Sequence, residues 1–343
     1  MFTFNTVEFR HALEKSIQET YDFDKVILNQ LDAHDGSMNT VFHMCSTASE
    51  GYVRVTTRAD RSIADLMAEV DFIRHLDVYG VSVATPYTSK DGKDVSIIKH
   101  MENVFCYVIF RVATGEQLSH RGYKYIEGIP LSKHHYNCGQ ILAQIHKASE
   151  TYIPTAGYKR HHILDHFKVL IETLIPYEMI VVRGKFNALI NQLEQLEKVD
   201  MSYGMIHGDF GDGNYNIDYR NGNITLFDFD DAGYCWYMYE IASAWSASTG
   251  WVMHEGDLVR RKVLMDQIFA TIVEGYRSIR VLDDAYIEQL PLYLKLVEME
   301  HFLGELLYVT ITEGAIDFED EELQELIHCI ENDIPYLGIY EGD

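Results

Sequence analysis

Residues 205–242 constrain this chain more than any other stretch. They run MIHGDFGDGNYNIDY, RNGN, then ITLFDFDDAGYCWYMYEIA, two acidic clusters parted by a turn. Residues 216–219 are expected as a short strand, with Ile217 and Tyr219 on one face, and 224–229 as the returning strand. Asn221-Gly222 between them is a strong hairpin signal, because a type I′ turn needs positive φ at both central residues. Such a hairpin brings the loop 207–214 close to Asp228.

Phosphoryl transfer from a nucleotide needs that proximity. One carboxylate orients the attacking hydroxyl and accepts its proton. A second carboxylate and a neutral oxygen donor hold Mg²⁺ against the triphosphate. Asp209 suits the first role, and Asn214 with Asp228 the second. His207 suits bracing of the loop by hydrogen bonds rather than proton exchange. Asp230 is a candidate second metal ligand, whereas Asp212 and Asp231 read as solvated loop carboxylates.

HGDFGDGN followed by LFDFDDAG resembles the catalytic and metal-binding segments of the aminoglycoside phosphotransferase/choline kinase superfamily. The pattern there is His-x-Asp-x-x-x-x-Asn, then an aspartate after an apolar strand. His207, Asp209, Asn214 and Asp228 occupy all four positions. YEIA at 239–242 resembles an element that usually carries Asp, and Glu240 stands in its place. The resemblance implies a bilobal, protein-kinase-like α+β fold, a small antiparallel sheet leading into a mainly helical lobe. It also implies ATP, with GTP as an alternative, and Mg²⁺.

The chain has 343 residues, 47% of them hydrophobic, enough for two lobes and a sizeable core. No apolar run reaches membrane-spanning length. No basic region followed by an apolar block marks a signal peptide at the N-terminus, so a cytoplasmic protein is expected. Five scattered cysteines without a C-x-x-C imply neither a disulfide framework nor a zinc site. A net charge of −25 opposes nucleic-acid and anionic-membrane binding and would suit a cationic partner.

In chain order, 5–20 is expected as a helix capped by Asn5. Strands are expected at 25–33, 41–46 and 51–58, and a turn-rich loop at 34–40. Ser62 caps a helix over 62–79 with an apolar stripe of Ile63, Leu66, Val70, Ile73 and Leu76. Further strands cover 94–99 and 105–112. The resemblance implies that the loop folds over phosphates, with Gly36, Ser37 and Asn39 meeting their oxygens. It implies that Arg54 contacts phosphates and pairs with Glu69. It places an adenine-binding hinge at 110–115, including Phe110 and Val112. Past Gly115 helical spacing dominates, at 136–149, within 158–199, and at 258–278, 284–307 (where Pro291 should break or kink it) and 319–331. His146 reads as structural, and the pairs His134–His135 and His161–His162 lack companions at metal-ligand spacing.

These expectations assemble into lobes at 1–112 for nucleotide and 113–343 for catalysis and the acceptor. The activity expected is transfer of the γ-phosphate of ATP to a hydroxyl of a small molecule. A protein Ser/Thr kinase and a nucleotide-binding regulator without turnover are the alternatives. A small cationic acceptor is expected from the acid-rich stretch 284–343, although Leu323, Leu326 and Ile330 should turn the acids of the last helix outward. Oligomeric state is not legible.

Overall fold

The computed structural model describes residues 6–31, 39–56, 61–158 and 160–334. Helix α1 (Val7–Thr20) is capped by Thr6, whose hydroxyl accepts the Phe9 N–H at 3.1 Å. The expected cap, Asn5, lies outside the described residues. Strands β1 (Ile27–Gln30), β2 (Thr40–Cys45) and β3 (Glu50–Thr56) follow, then α2 (Ile63–Val78), β4 (Val95–His100) and β5 (Asn103–Arg111). They form one antiparallel sheet in the order β1-β2-β3-β5-β4.

Alternation along the strands gives this sheet two different faces. Phe42, Met44, Val53, Val55, Tyr107 and Ile109 pack with Phe9, Leu13 and Ile17 of α1. On the opposite face α2 sets Leu66 and Val70 against Val95 and Val108. Arg54 belongs to this second face. Helix α2 is held at its start by Ser62 and Asp65, which bond reciprocally in a capping box.

The rest is mainly helical: α3 (Leu131–Ser149), α4 (Ile163–Leu174), α5 (Ile180–Glu194), then the short strands β6 (Tyr203–Ile206), β7 (Tyr215–Asp218), β8 (Asn223–Leu226) and β9 (Gly233–Trp236). Helices α6 (Tyr237–Ala247), α7 (Thr249–Val252), α8 (Leu258–Arg277), α9 (Asp284–Ile287), α10 (Leu290–Thr312) and α11 (Glu321–Asn332) complete it. Pro291 sits in the first turn of α10, so the expected single helix is divided into α9 and α10. Leu323, Leu326 and Ile330 are buried, which turns the acids of α11 outward as its spacing predicts.

The β7–β8 hairpin forms, but its turn is not the two-residue type I′ turn. Asp218 pairs with Asn223, leaving 219–222 as the connection, and only Gly222 there has positive φ, at 80°. Asp218 decides this. Its carboxylate accepts the Arg220 N–H at 3.0 Å and Arg220 Nε at 2.8 Å, and its carbonyl accepts the Gly222 N–H at 2.7 Å.

The same hairpin joins the two halves of the molecule. On its β7 side Glu116 and Ile217 exchange backbone hydrogen bonds at 3.1 and 2.9 Å, and Asn216 Nδ2 donates to the carbonyls of Ala113 and Gly115. On its β8 side Leu226 bonds to Ser82 and Ala84. Gly115 makes the first contact possible. Its φ is +99°, and a Cβ there would stand 2.2 Å from the Ile217 carbonyl oxygen. Gly115→Ala is expected to lower stability by about 2–3 kcal/mol, read from the urea midpoint. It should also raise KM for nucleotide, whereas an unchanged midpoint would show that the segment yields without strain.

Candidate active site

Strands β6 and β9 pair antiparallel and close the base of the site, with the loop 207–214 leaving one strand and 227–232 entering the other. His207 is fully buried between them. Its Nδ1 accepts the Asp209 N–H at 3.3 Å, so Nε2 carries the proton and donates to the Phe227 carbonyl at 3.0 Å. The ring therefore braces both loops and has no atom left for proton exchange.

Glu240 holds the loop from the other side. One of its oxygens accepts the Gly208 N–H at 2.8 Å and the other accepts from His146 Nε2 at 2.8 Å. His146 Nδ1 in turn accepts from the Tyr276 hydroxyl at 3.0 Å. Burial lowers the His146 pKa despite the neighbouring Glu240, so the imidazole acts as a neutral spacer. A chain of hydrogen bonds thus runs from α8 through α3 and α6 to the loop. The glutamate reaches both partners.

Asp209 is exposed at the start of its loop. Surrounding protein weakens its hydration, and Asp231 and Glu240 add like charge, so its pKa is raised in spite of His207 and Asn214. Both amide hydrogens of Asn214 are engaged, with the Asp209 carbonyl at 2.9 Å and the Asp209 carboxylate at 2.7 Å. Only the amide oxygen of Asn214 remains to face a ligand. The Asn214 carbonyl accepts the Phe227 N–H at 3.0 Å, which carries the chain on to Asp228.

Asp228 adopts a left-handed conformation, φ 58°, which aspartate tolerates better than most residues. Its side chain is 48% exposed and one oxygen accepts from Arg54 at 3.2 Å. Desolvation by the surrounding protein, with Asp230, Glu69 and Asp231, pushes its pKa up to about 6 against the pull of Arg54. A carboxylate and an amide oxygen in a field of surplus negative charge are hard donors that fit an oxygen-bound divalent cation.

Arg54 is buried and donates to Glu69 at 2.5 Å, with Glu69 wholly buried. Burial works against the arginine's charge, but Glu69, Asp230 and Asp228 more than offset it. Phe110 lies under the guanidinium, 5.2 Å from ring centroid to Cζ. Val112, just past β5, is exposed. Asn39 donates to Asp230 at 3.1 Å, and Arg61 Nε lies 3.8 Å from the same carboxylate. Gly36 and Ser37 lie outside the described residues.

Two arginines had no signal in the sequence. Arg160, buried in a run of mixed polar residues, donates to the carbonyls of Ala232 and Asp230 and to that of Asp65 in α2. Arg61 donates to the Asp231 carboxylate at 2.8 Å. Both bind the segment after Asp228 to the helix that carries Glu69. Their partners lie far along the chain, so no spacing could have revealed them.

A family model described as the phosphotransferase enzyme family matches residues 32–282. Amicoumacin kinase of Bacillus subtilis (strain 168) is 27% identical over 284 residues, covering 81% of this chain and 80% of that protein. The structure of amicoumacin kinase hAmiN in complex with AMP-PNP, Ca²⁺ and Ami superposes with a TM-score of 0.80 and 26% identity, covering 95% of this chain and 93% of that one. Spectinomycin phosphotransferase APH(9)-Ia, in complex with ADP and spectinomycin, shares the fold at TM-score 0.57 and 14% identity, with 94% and 93% covered. The chain has the bilobal kinase-like fold, and the amicoumacin kinase neighbour carries a nucleotide analogue with Ca²⁺. No helix among the described residues is long and apolar enough to cross a membrane. Carrying the assembled loop, hairpin and buried arginine, this chain belongs to the phosphotransferase enzyme family and moves phosphate from ATP to the hydroxyl of a small molecule.

Proposed function

We propose that the acceptor is a small hydroxyl compound bearing a positive charge, and that Asp209, Asn214, Asp228, Arg54 and Glu69 perform the transfer. The observation that carries the transfer is the joining of Asp209, Asn214 and Asp228 through two short loops braced by His207. Asp209 orients the acceptor hydroxyl and takes its proton. The Asn214 oxygen and the Asp228 carboxylate would hold Mg²⁺, which neutralises charge on the β- and γ-phosphates. Arg54, positioned by Glu69, adds positive charge at the phosphates. Asp230, already facing Asn39 and Arg61, would reach a second cation only by giving up those contacts. ATP is the donor, with GTP as the alternative. Nucleotide occupies the lobe 1–112 and acceptor the lobe 113–343, and the expected site is the cytoplasm.

Glu300 supports the cationic acceptor. It is half-buried on α10, and burial together with Asp209, Asp231 and Glu240 pushes its pKa up to about 8. An acceptor ammonium beside it would restore the ionised form. Amicoumacin, for which two of the similar proteins are named, is the first acceptor to test, followed by amino alcohols and neutral sugars in a coupled ATPase assay. Glu300→Gln should raise KM for a cationic acceptor at least tenfold, since a hydrogen bond to a charged group contributes about 1.5–3 kcal/mol. KM should also rise with salt as the Debye length falls from ~10 Å at 0.1 M to ~3 Å at 1 M. Turnover of neutral acceptors alone, with KM indifferent to salt, would refute the charge assignment and leave the kinase assignment standing.

A further inference from the structure

The second face of the five-stranded sheet carries a group that phosphoryl transfer does not use. His43 and Cys45 lie two residues apart on β2 and so point to one face. Glu50 is the cross-strand partner of Cys45 on β3, within the usual reach of side chains that face each other across a ladder. One ligand atom from each of the three lies within 4.8 Å of the others, and among the described residues this is the one such mixed group of histidine, cysteine and carboxylate.

We propose that His43, Cys45 and Glu50 form a site for a borderline divalent cation such as Zn²⁺, separate from the cation that accompanies the nucleotide. Glu50 accepts from His43 Nε2 at 2.7 Å. That bond keeps the proton on Nε2 and turns the Nδ1 lone pair to the Cys45 sulfur, 3.9 Å away. Sulfur and nitrogen on one tetrahedral zinc stand roughly 3.5 Å apart, given bonds of about 2.3 and 2.0 Å. The separation present therefore needs little adjustment.

Glu50 is exposed enough to give up its bond to His43 and rotate an oxygen onto the ion, with water completing the shell. The side chains of His43 and Glu50 are 25% and 59% exposed, which leaves a path for entry. Binding releases the Cys45 thiol proton to solvent, while His43 binds as neutral imidazole and Glu50 as carboxylate, and no oxidation state changes. Thiolate selects zinc, cobalt or copper over Mg²⁺. The oxygen-donor site at Asp228 makes the opposite selection. Glu50 lies four residues before Arg54 on β3, about 13 Å at ~3.3 Å per residue, so the two sites do not share ligands.

Titration of the full-length protein with Co²⁺ tests this. One equivalent should develop thiolate-to-cobalt charge-transfer absorption in the near ultraviolet, and Zn²⁺ should abolish it. Cobalt at the Asp228 site, which has no sulfur, contributes nothing to that band. Cys45→Ser should remove the band, while Cys106→Ser, on β5, should keep it. His43→Ala should weaken Co²⁺ binding at least tenfold, with far-ultraviolet circular dichroism verifying that each variant is folded. A wild-type protein without the band, or a band that survives in Cys45→Ser, overturns the proposal.

Discussion

Asp209→Ala is expected to reduce kcat by about 10²–10⁴-fold, the usual contribution of a positioned general base, while nucleotide affinity stays nearly unchanged. In its proposed role the residue meets the acceptor and not the triphosphate, so the loss belongs in the chemical step. Asn214 complicates a simple reading, because both its amide hydrogens bond to Asp209. Removing the carboxylate frees one of them and lets the amide turn. Asp209→Asn retains the shape and keeps an acceptor for Asn214, so it separates the two effects. If both variants lose kcat alike and bind nucleotide like wild type, the missing group is the base. If Asp209→Asn retains turnover, Asp209 acts only by orienting Asn214. Isothermal titration with a nonhydrolysable ATP analogue, beside steady-state rates, gives the comparison.

The second large effect is expected at Glu69. It is wholly buried, and its partner Arg54 is 4% exposed. Removing one member of a buried pair leaves an uncompensated charge and typically costs about 3–5 kcal/mol. Glu69→Ala should therefore lower the urea midpoint sharply. It should also weaken nucleotide binding, because Arg54 is left with Asp228, to which it already donates at 3.2 Å. A tighter Arg54–Asp228 pair would neutralise the carboxylate proposed to hold the divalent cation. Arg54→Met alone should cost less stability than Glu69→Ala if the buried carboxylate takes up a proton. The double variant should be far from the sum of the two single effects in a double-mutant cycle. Strict additivity in both stability and kcat/KM would show that the two side chains are not energetically coupled.

Several features were legible because they are local. The spacing of α2 and its serine cap needed only neighbouring residues, and the structure adds Asp65 as the reciprocal partner. The apolar residues of 105–112 marked a strand, and β5 there pairs on both sides. Pro291 marked a break because a missing N–H acts wherever it stands. The hairpin was foreseen but its turn was not. A carboxylate at Asp218 that could bond Arg220 and Asn221 outweighed the preference of Asn221-Gly222 for a two-residue turn. Helix α3 begins at Leu131, earlier than the apolar spacing over 136–149 indicated, since its first turn carries histidines that are buried by tertiary packing.

By itself the sequence determined the strands of the first sheet, most of the longer helices and the identity of the acids in residues 205–242. Periodicity, caps and turn residues act over a few positions and survive in any context. Tertiary structure decided which of those acids come together and what each one meets. The pairing of β6 with β9 joins four-residue strands too short to carry a periodic signal. Glu240 gained its role only when α6 brought it against Gly208 and His146, and Arg160 only when its segment folded against the loop after Asp228. These contacts join residues distant in sequence through hydrogen bonds to backbone groups, which every residue type offers alike. No pattern of side chains along the chain can announce them, and burial, which makes each bond costly to lose, exists only once the chain has closed around them.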